Sequence, residues 1–600
     1  MKNTPFNYII IRNAARQNWL HFRSPQQIIA AETVEDVLPA LQTVEKLVNK
    51  QGKYAAGWIA YEAAPAFDPA FTVHNAGSFP LLWFGIFGPP EEFHFSEVEA
   101  IPHKSLIAWK PSITKRDYRR AIASIKQFIA NGDTYQVNYT YRLFADFTED
   151  PWSFFVRLAQ AQHSIYGAFL NTERWAICSA SPELFFRLDG NDLYSRPMKG
   201  TASRGMILSD DLKQAEWLRQ SEKNRAENAM IVDMVRNDMG RIAETGSVRV
   251  ARSFEVEKYP TVWQMTSAVQ AKTSASVYDI LKTLFPAASI TGAPKIRTME
   301  IISQLETTPR RIYTGSIGFI GPNRQAQFNV AIRTVLIDTY KQQAEYGAGG
   351  GVVWDSTVVG EFEESKTKTK ILTGWPVDFS LLETMLWTPQ DGYFLLDRHI
   401  SRLKDSANYF SIPLDIEAIC NKLMLLSHTF STIPHQVRLL VDKSGAVSCQ
   451  SFALVDNVNT QKLSLKACLA VSPIDDSNPF YYHKTTHREM YNCELAANPA
   501  YNDVLLWNKK SELTEFCLGN IVVEIDNGLF TPPICSGLLG GTYRAMLLEQ
   551  GKIVEKPLYI EDLAIATSVY RINSVRKWER VELDLRSNSK STRNVIEYSP

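Results

Sequence analysis

The sequence carries no excess charge, no long apolar run and few cysteines. Its 64 basic residues balance 64 acidic ones, so the basic surplus typical of nucleic-acid-binding proteins is missing. No hydrophobic stretch approaches the roughly 20 residues of a membrane-spanning helix. The seven cysteines include no CxxC pair, and the first residues lack a signal-peptide core. We therefore expect a cytoplasmic protein with reduced thiols, and neither nucleic acid nor a membrane as a partner.

The length of the chain and the positions of its glycines and prolines predict two domains. A chain of 600 residues is too long for one hydrophobic core. A polar run ends at Lys370, glycine and proline follow, and a new apolar segment then begins. We predict a first domain over 1–372, a linker over 373–379 and a second domain over 380–600.

Both halves mix helical and strand patterns, which predicts α+β or α/β domains. The apolar spacing of Asp117–Ala130 is typical of an amphipathic helix. Phe328–Ile337 is rich in β-branched residues and predicts one strand. In the second half, a strand is expected over 379–387 and a helix around Ser401–Phe410.

Acidic residues and glycines in the first half suggest a site for a metal and an anion. Glu361 and Glu364 are three apart in a predicted helix and share a face, while Glu227 begins a second predicted helix. Mg²⁺ takes oxygen ligands of this kind. The glycine run that includes Gly349 and Gly350 would let the backbone approach an anion. By themselves the acidic residues are more typical of a solvated charged face, and the glycines fit a bulge or a flexible turn equally well.

Several ordered motifs of the first half resemble one family. This half is similar to the chorismate-binding enzymes, which include component I of aminodeoxychorismate synthase, anthranilate synthase and isochorismate synthase. The matching motifs are GDTYQVNYT (Gly132–Thr140), SPELFF (Ser181–Phe186), RPMKGT (Arg196–Thr201), ENAMIVDMVRND (Glu227–Asp238), FPAASITGAPKIRTMEII (Phe285–Ile302), YTGSIGF (Tyr313–Phe319), AIRT (Ala331–Thr334) and GAGGGVVWDSTVVGEFEES (Gly347–Ser365). The resemblance implies a β-sandwich core with helices.

The resemblance also implies a role for each matching residue. Glu227 and Glu364 would ligate Mg²⁺, with Glu361 assisting through water, and the ion would hold the ring carboxylate of chorismate. Glu183 would be the general acid that protonates the leaving 4-hydroxyl group. The remaining substrate-binding residues implied in this way are Gln136, Thr201, Ser289, Tyr313, Arg333, Gly349, Gly350, Gly351 and Lys368. Among these, Tyr313 and Arg333 would hold the pyruvyl carboxylate.

Lys199 separates the possible chemistries within this family. Anthranilate-forming relatives carry alanine at its position, whereas aminodeoxychorismate synthases carry a lysine thought to attack C2 before ammonia adds at C4. Isochorismate synthases have a lysine base where this chain has Gln136, so addition of water is disfavoured. Relatives often carry histidine where this chain has Gln264, which can donate a hydrogen bond but cannot shuttle a proton. An exposed, salt-bridged lysine is the alternative explanation of Lys199.

The sequence contains no recognisable glutaminase signature. We find no cysteine in a nucleophile turn with a downstream His–Glu pair. Ammonia is therefore expected from solution or from a separate glutamine amidotransferase partner.

Motifs of the second half resemble the fold-type IV pyridoxal phosphate enzymes. These include branched-chain and D-amino acid aminotransferases and aminodeoxychorismate lyase. The matching motifs are LLETM (Leu381–Met385), LLDRHISRLKDSA (Leu395–Ala407), HKTTHR (His483–Arg488), LTEFCLGNI (Leu513–Ile521), GLFTPPICSGLLGGTYR (Gly528–Arg544) and YRINSVRKW (Tyr570–Trp578). Fold-type IV enzymes are usually dimers, so a homodimer through this domain is consistent with the resemblance.

The second resemblance implies a full set of cofactor contacts. Lys484 would form the Schiff base with pyridoxal 5'-phosphate, and Glu515 would pair with the pyridine nitrogen. The phosphate would be held by Arg402, Ser574 and the backbone N–H groups of Thr542 and Tyr543. The phosphate loop GGTYR lacks a usual proline and has tyrosine at a usual threonine, which weakens a hydroxyl contact at 543 but not a backbone contact. Taken alone, Lys484 and Glu515 would each be more typical of a surface charge.

The two resemblances together predict p-aminobenzoate synthesis for folate. Aminodeoxychorismate, the expected product of the first half, is the substrate of the lyase that the second half resembles. One alternative is an anthranilate synthase component fused to an aminotransferase, against which Lys199 argues. Another is a non-catalytic protein that binds chorismate or pyridoxal phosphate as a regulator. Retention of Lys199, Glu183, Lys484 and Glu515 argues against that second alternative.

Overall fold

The computed structural model describes residues 7–93, 107–162, 164–372, 377–430, 432–454 and 464–585. The chain divides into two compact units, Met1–Arg204 with Gln214–Pro376, and Gly205–Lys213 with Val377–Pro600. Residues 373–376 of the predicted linker lie outside the described residues, and the predicted domain bounds stay a prediction. Within the described ranges, no helix is both long enough and apolar enough to cross a membrane.

The first half of the chain alternates strands and helices. Its strands are β1 (Tyr8–Asn13), β2 (Asn18–Phe22), β3 (Gln27–Ala31), β4 (Tyr54–Ile59), β5 (Leu82–Phe87), β6 (Glu91–Phe93), β7 (Lys110–Pro111), β8 (Gln136–Asp146), β9 (Ala168–Asn171), β10 (Trp175–Ser179), β11 (Leu184–Asp189), β12 (Asp192–Arg196), β13 (Met198–Ser203), β14 (Arg249–Lys258), β15 (Val262–Lys272), β16 (Gly292–Ala293), β17 (Ser316–Gly321), β18 (Gln325–Val330), β19 (Thr334–Asp338) and β20 (Gln343–Val352). Its helices are α1 (Val34–Gln51), α2 (Ala64–Phe67), α3 (Lys115–Ala130), α4 (Pro151–Gln162), α5 (Leu208–Gln220), α6 (Glu222–Gly240), α7 (Val277–Leu284), α8 (Lys295–Leu305) and α9 (Val358–Thr369).

Two large sheets pack face to face, which confirms the predicted β-sandwich. One sheet has the order β16-β8-β20-β19-β10-β9-β1-β2-β6, with β7 on β8. The other has the order β13-β15-β12-β11-β18-β17-β4-β5-β3, with β14 on β15. Buried side chains of both sheets share one core, for example Ile9 and Ile177 of the first sheet with Trp58 and Phe319 of the second. The close packing of apolar side chains from both inner faces holds the sheets together.

Helices cover the outer faces of the sandwich. Helix α3 confirms the helix predicted at Asp117–Ala130, and it begins with a reciprocal capping box between Thr114 and Asp117. The single strand predicted over Phe328–Ile337 is wrong, because the segment forms two strands that belong to different sheets. The chain changes sheets at Arg333, whose φ of 51° cannot continue an extended strand. Arg333 therefore lies at a turn between two strands, where it lines a cavity of the first half.

The second half contains a small sheet and a partly closed one. Its strands are β21 (Leu381–Thr388), β22 (Gly392–Tyr393), β23 (His435–Val441), β24 (Val447–Ala453), β25 (Leu465–Leu469), β26 (Asp503–Trp507), β27 (Leu513–Phe516), β28 (Gly519–Ile525), β29 (Gly528–Thr531), β30 (Val554–Glu555), β31 (Ser568–Asn573) and β32 (Lys577–Asp584). Its helices are α10 (Leu396–Phe410), α11 (Ile416–Ser427), α12 (Glu489–Ala497) and α13 (Thr542–Glu549). Strand β21 and helix α10 confirm the strand and the helix predicted there.

Strand pairing explains how the second half forms a cavity. The small sheet has the order β22-β21-β23-β24. In the other sheet, β27 pairs with both β26 and β28, which closes six strands into a ring. The mixed α/β architecture of both halves agrees with the predicted fold class.

Candidate functional site

The first cavity brings together almost all residues predicted for the first half. Strands β8 and β20 of one sheet, β13 and β15 of the other, and helices α6 and α9 contribute to its wall. The predicted residues that line it are Glu183, Lys199, Thr201, Glu227, Ser289, Tyr313, Arg333, Gly349, Gly350, Gly351, Glu361, Glu364 and Lys368. Residues far apart in sequence therefore line one cavity.

Lys199 projects from β13 into this cavity. Its amine lies 3.5 Å from Glu227 Oε2 on α6, and its side chain is only 12% exposed. The neighbouring Asn228 donates a hydrogen bond to the Lys199 carbonyl group (3.1 Å), which fixes the strand against the helix. A methyl group at Gly351 would collide with the Lys199 amine, so glycine there is what lets the lysine reach the cavity. Lys199 is thus not an exposed surface lysine.

Gln136 stands just behind the cavity wall rather than in it. Its side chain is fully buried, and a methyl group at Gly351 would lie 2.9 Å from its Nε2. Among the described residues, neither Nε2 nor Oε1 of Gln136 has a hydrogen-bond partner. A buried amide without partners is costly, and the structure does not place Gln136 among the residues that line the first cavity.

Glu183 is buried beside a hydroxyl group. Ser289 Oγ donates a hydrogen bond of 2.6 Å to Glu183 Oε1. Burial raises the pKa of Glu183 to about 7, although the Ser289 hydrogen bond and Lys199 oppose the shift. A carboxyl group with such a pKa can carry a proton near neutral pH and give it up, which suits a general acid.

Helix α9 presents two carboxylates and a lysine to the same space. Lys368 Nζ lies 2.8 Å from Glu364 Oε1 and donates to the Gly349 carbonyl group at 2.9 Å. The charge of Lys368 lowers the pKa of Glu364. Burial, and then the charge of Glu364, raise the pKa of Glu361. Burial alone would lower the pKa of Lys368. The negative charge of Glu364 outweighs the effect of burial, so the pKa of Lys368 is raised.

The glutamates offer ligands for a cation without forming a complete ligand set. Among the described residues, no three carboxylate, histidine or cysteine side chains converge closely enough to ligate a metal together. A methyl group at Gly350 would lie 3.5 Å from Glu361 Oε2 and 3.8 Å from Glu364 Oε1, so both carboxylates face the open space over this glycine. Mg²⁺ often uses only one or two carboxylates, together with oxygens of its substrate. These residues fit that ion, and their division into ligands stays a prediction.

Tyr313 and Arg333 also line the first cavity. The Tyr313 ring packs on Gly347, where a methyl group would collide with it, and Arg142 lies over the ring at 4.8 Å. Burial raises the pKa of Tyr313, so its hydroxyl group stays a donor. Arg333 donates from Nη1 to Gln162 Oε1 (3.2 Å). A hydroxyl and a guanidinium group on one wall suit a carboxylate.

Gln264 has a structural role at the position where relatives often carry histidine. Its Nε2 donates to the Gly200 carbonyl group (2.8 Å), and its Oε1 accepts from Thr201 Oγ1 (3.2 Å). Gln264 therefore fastens the strand that carries Lys199.

The second cavity brings together all six residues predicted for the second half. Strands from both sheets of the second half and the first turn of α13 line this cavity. The predicted residues that line it are Arg402, Lys484, Glu515, Thr542, Tyr543 and Ser574. These six residues come from five of the matching motifs, and Arg402 and Ser574 lie 172 positions apart in the sequence.

Lys484 and Glu515 have the properties of a reactive amine and a buried acid. Burial, reinforced by Arg402 and Arg488, lowers the pKa of Lys484 to about 8. Burial raises the pKa of Glu515 to about 7. Tyr491 donates to Glu515 Oε1 (2.7 Å) and Asn520 donates to Oε2 (3.2 Å). The amine is therefore partly neutral near pH 8, and the carboxylate is oriented for a cationic partner.

Arg402 is locked by a buried network that sequence analysis did not identify. Its Nε and Nη2 donate to the two oxygens of Glu383 (2.9 and 2.6 Å), and Nη1 donates to the Gly540 carbonyl group (3.1 Å). His399 Nδ1 lies 2.7 Å from Glu383 Oε2, and its Nε2 lies 3.3 Å from Thr542 Oγ1. Three of the five guanidinium N–H groups are used in this way, which leaves two for a ligand.

The start of α13 provides backbone donors next to this guanidinium. Its N-cap residue, Gly541, makes no side-chain cap, and a methyl group there would collide with Asn520. Helix N-termini with free N–H groups bind phosphate. Tyr543 packs beside Phe394, with ring centroids 6.0 Å apart, so its backbone rather than its hydroxyl group suits that contact. Ser574 Oγ donates to the Thr384 carbonyl group (3.2 Å). The cavity fits a phosphorylated aromatic aldehyde.

Several residues at the two cavities were not predicted from sequence. They are Asn138, Lys223 and Tyr346 at the first, and Glu383, His399, Gln436, Arg438, Arg488, Tyr491 and Asn520 at the second. A signal existed for His399, because it lies three positions before Arg402 and therefore on the same helix face. Glu383 stands in an otherwise apolar strand segment, which also marks it as unusual.

Comparison with known proteins matches a different family model to each half of the chain. The chorismate binding enzyme model matches residues 7–374, and the amino-transferase class IV model matches residues 380–583. The chain is 40% identical over 262 residues to aminodeoxychorismate synthase component 1 of Escherichia coli strain K12, covering 43% of this chain and 57% of that protein. It is 42% identical over 257 residues to the protein of the same name from Bacillus subtilis, covering 42% and 54%.

A solved structure extends the comparison over the whole first half. Anthranilate synthase component I from Streptococcus pneumoniae is 26% identical, with a TM-score of 0.51, and the match covers 62% of this chain and 93% of that chain. The chain spans little more than half the length of the curated relatives it matches. With one family model matching well over half of its length, the chain belongs to the chorismate-binding enzymes and carries an amino-transferase class IV domain behind that part.

Proposed function

We propose that this chain synthesises p-aminobenzoate in two steps. The first half would aminate chorismate at C4 with ammonia from a separate glutamine amidotransferase, giving 4-amino-4-deoxychorismate. The second half would release pyruvate from that product with pyridoxal 5'-phosphate, giving p-aminobenzoate for folate. The observation that carries the proposal is the position of Lys199, whose amine enters the same cavity as Glu183. The names of the curated relatives support the first step.

In the first step, the residues of the cavity would exchange a hydroxyl group for an amine. Lys199 attacks C2 while the 4-hydroxyl group leaves with a proton from Glu183, and ammonia then adds at C4 and expels Lys199. One water is lost and one ammonia is gained, so the oxidation state of the ring is unchanged. Tyr313 and Arg333 hold the pyruvyl carboxylate. Glu227 and Glu364 would hold Mg²⁺, which supplies positive charge for the ring carboxylate.

In the second step, Lys484 would act as both base and acid. Pyridoxal phosphate supplies an electron sink when it is bound. The amine of Lys484 would remove the C4 proton and return a proton as pyruvate departs. Glu515 holds a proton at the pyridine nitrogen, and Arg402, Ser574 and the N–H groups of Thr542 and Tyr543 orient the phosphate. Aromatisation of the ring favours the release of pyruvate.

Product identity tests the proposal directly. The full chain is incubated with chorismate, ammonium, Mg²⁺ and pyridoxal phosphate, and the products are separated by chromatography. p-Aminobenzoate with an equal amount of pyruvate is the expected result. Aminodeoxychorismate alone would leave the first step standing and refute the second. Anthranilate would refute the role given to Lys199.

The raised pKa of Glu183 predicts how the first step depends on pH. Glu183 gives its proton only in the protonated form, which predominates below a pKa of about 7. We therefore expect the rate of chorismate amination to fall as pH rises above about 7, approaching tenfold per pH unit. The measurement is chorismate consumption against pH at a fixed concentration of neutral ammonia.

Ser289 supplies the matched variant for this pH profile. Its hydrogen bond lowers the pKa of Glu183, so Ser289→Ala should move the falling limb to higher pH. Glu183→Gln should remove the limb together with most of the activity. A limb that stays in place in the Ser289→Ala variant would contradict the assignment to Glu183.

Glu383→Gln is expected to weaken the binding of pyridoxal phosphate. The Glu383 carboxylate is buried, yet the charge of Arg402 and the hydrogen bond from His399 lower its pKa to about 2. Without that charge, Arg402 loses its fixed orientation, and we expect the Kd for the cofactor to rise about 10- to 100-fold. Titration of the apoprotein, followed by absorbance, measures this Kd.

The control for this variant is Glu549→Gln. Glu549 also pairs with an arginine, Arg398, but at an exposed position where ion pairs contribute little. Its Kd should stay within about threefold of the wild type. Equal Kd values for the wild type and the Glu383→Gln variant would show that Arg402 does not depend on Glu383.

A further inference from the structure

Glu515 is the only acidic side chain among the described residues that line the second cavity. Its carboxylate has about four acceptor positions. Tyr491 donates a hydrogen bond to Oε1 (2.7 Å), and Asn520 donates one to Oε2 (3.2 Å). Asn520 is held in turn, because its Nδ2 also donates to the Leu539 carbonyl group (2.8 Å). Two side chains therefore orient the Glu515 carboxylate and leave it acceptor capacity for a ligand.

Neighbouring side chains hold the Tyr491 ring in place. Tyr491 lies in the first turn of α12 and is only 5% exposed. Arg488, the N-cap residue of this helix, lies over the ring at 4.6 Å from its centroid and donates to the Cys517 carbonyl group (2.6 Å). The Tyr481 ring meets the Tyr491 ring edge-on, with centroids 5.5 Å apart. Packing against a cation and an aromatic edge thus fixes the direction of the Tyr491 hydroxyl group.

The hydroxyl group of Tyr491 acts as the donor in its hydrogen bond with Glu515. Burial, and then the charge of Glu515, raise the pKa of Tyr491 above its ordinary value, so the hydroxyl group keeps its proton. Burial raises the pKa of Glu515 to about 7, although hydrogen bonds from Tyr491 and the Leu539 backbone oppose that shift. A hydrogen bond donated to a carboxylate stabilises the charged form. Tyr491 therefore keeps Glu515 ionised at a lower pH than burial alone would allow.

We infer that Tyr491 is a positioning residue that holds the Glu515 carboxylate, charged and in one orientation, for the protonated ring nitrogen of pyridoxal phosphate. The inference rests on the proposed function, since it takes the second cavity as the cofactor site. A charged carboxylate makes a strong hydrogen bond with a cationic N–H group, and a neutral carboxyl group makes a weaker one. Tyr491 acts through Glu515, so its hydroxyl group should matter only for a ligand that carries this nitrogen.

The test removes the Tyr491 hydroxyl group and the ring nitrogen of the ligand in turn. Equilibrium dialysis of the full-length apoprotein measures the Kd for pyridoxal phosphate and for its deaza analogue, in which a C–H group replaces the ring nitrogen. Both ligands keep the aldehyde for Lys484 and the phosphate group for Arg402. We expect Tyr491→Phe to raise the Kd for pyridoxal phosphate about tenfold and to leave the Kd for the deaza analogue within about threefold.

Tyr501→Phe is the matched control. The Tyr501 hydroxyl group also donates to a carboxylate, Asp584 Oδ2 (2.8 Å), but Tyr501 is not among the described residues that line the second cavity. Its loss should change neither Kd. A double variant adds a second check, because Glu515→Gln removes the charge through which Tyr491 acts. In that background, Tyr491→Phe should raise the Kd for pyridoxal phosphate by less than about threefold.

The outcome separates this inference from the proposed function. If the wild type releases no pyruvate, but Tyr491→Phe weakens the binding of pyridoxal phosphate alone, the positioning role stands and the lyase reaction fails. If pyruvate is released, but Tyr491→Phe weakens the binding of both ligands equally or of neither, the reaction stands and the positioning role is refuted. An equal loss for both ligands would mean that the hydroxyl group serves only the fold.

Discussion

Replacing Lys199 with alanine should reduce p-aminobenzoate formation by about 10³-fold or more, because the variant lacks the proposed nucleophile. Lys199 enters the cavity between Glu227 and Gly351, and the described residues that line the cavity place no other lysine against that glycine. The variant should still fold, since the strand is held through backbone contacts to Asn228 and Gln264. Chromatography of the products from chorismate and ammonium measures the loss, and it also detects a redirected product such as anthranilate.

Lys223→Ala is the control for this prediction. Lys223 lines the same cavity and lies 4.0 Å from Glu227, but its side chain is 44% exposed. Its loss removes one positive charge from the same neighbourhood without removing the proposed nucleophile. We expect an effect below about tenfold. Undiminished p-aminobenzoate formation by the Lys199→Ala variant would refute the covalent role.

Most residues that line the first cavity could be named from sequence, because they occur in ordered motifs. Lys199 and Glu183 were identified individually, and the structure brings both to one space with the glutamates of α6 and α9. The helical period also predicted α3, since its buried residues, Tyr118, Ala121, Ile122 and Ile125, recur on one face. Local spacing and motif order were sufficient in these places.

Other features depended on long-range packing that no local pattern records. The β-branched segment around Arg333 resembles one strand, but it splits because the chain passes from one sheet to the other at that residue. The segment Gly205–Lys213 joins the second unit, although it lies between elements of the first. Tertiary contacts override strand propensity in such places.

In the second cavity too, some side-chain contacts could not be predicted from local sequence patterns. Lys484 and Glu515 were predicted from motifs, whereas the link from Glu383 through His399 to Thr542 joins three separate motifs and became visible only in the fold. The direction of Arg438 depends on the register of β23 against β21. A one-residue shift in that register would bury Arg438 and expose the apolar face.

Lys484→Ala should abolish the second step and leave the first intact. The variant lacks the amine that captures the cofactor and moves the C4 proton, so we expect pyruvate release to fall by about 10³-fold or more. The cavity that carries Lys199 is built from other residues, so chorismate should still be consumed at the wild-type rate. Aminodeoxychorismate should therefore accumulate, and chromatography would detect it in place of p-aminobenzoate.

The lowered pKa of Lys484 adds a second signature to this prediction. Because the pKa is about 8, the fraction of neutral amine rises steeply with pH up to about 8 and then levels off. The rate at which the wild-type apoprotein captures pyridoxal phosphate should follow that curve, and the Lys484→Ala variant should show no visible absorbance band. Lys443→Ala, which changes an exposed lysine paired with Asp378, should behave as the wild type. Wild-type p-aminobenzoate formation by the Lys484→Ala variant would mean that pyruvate release does not use this site.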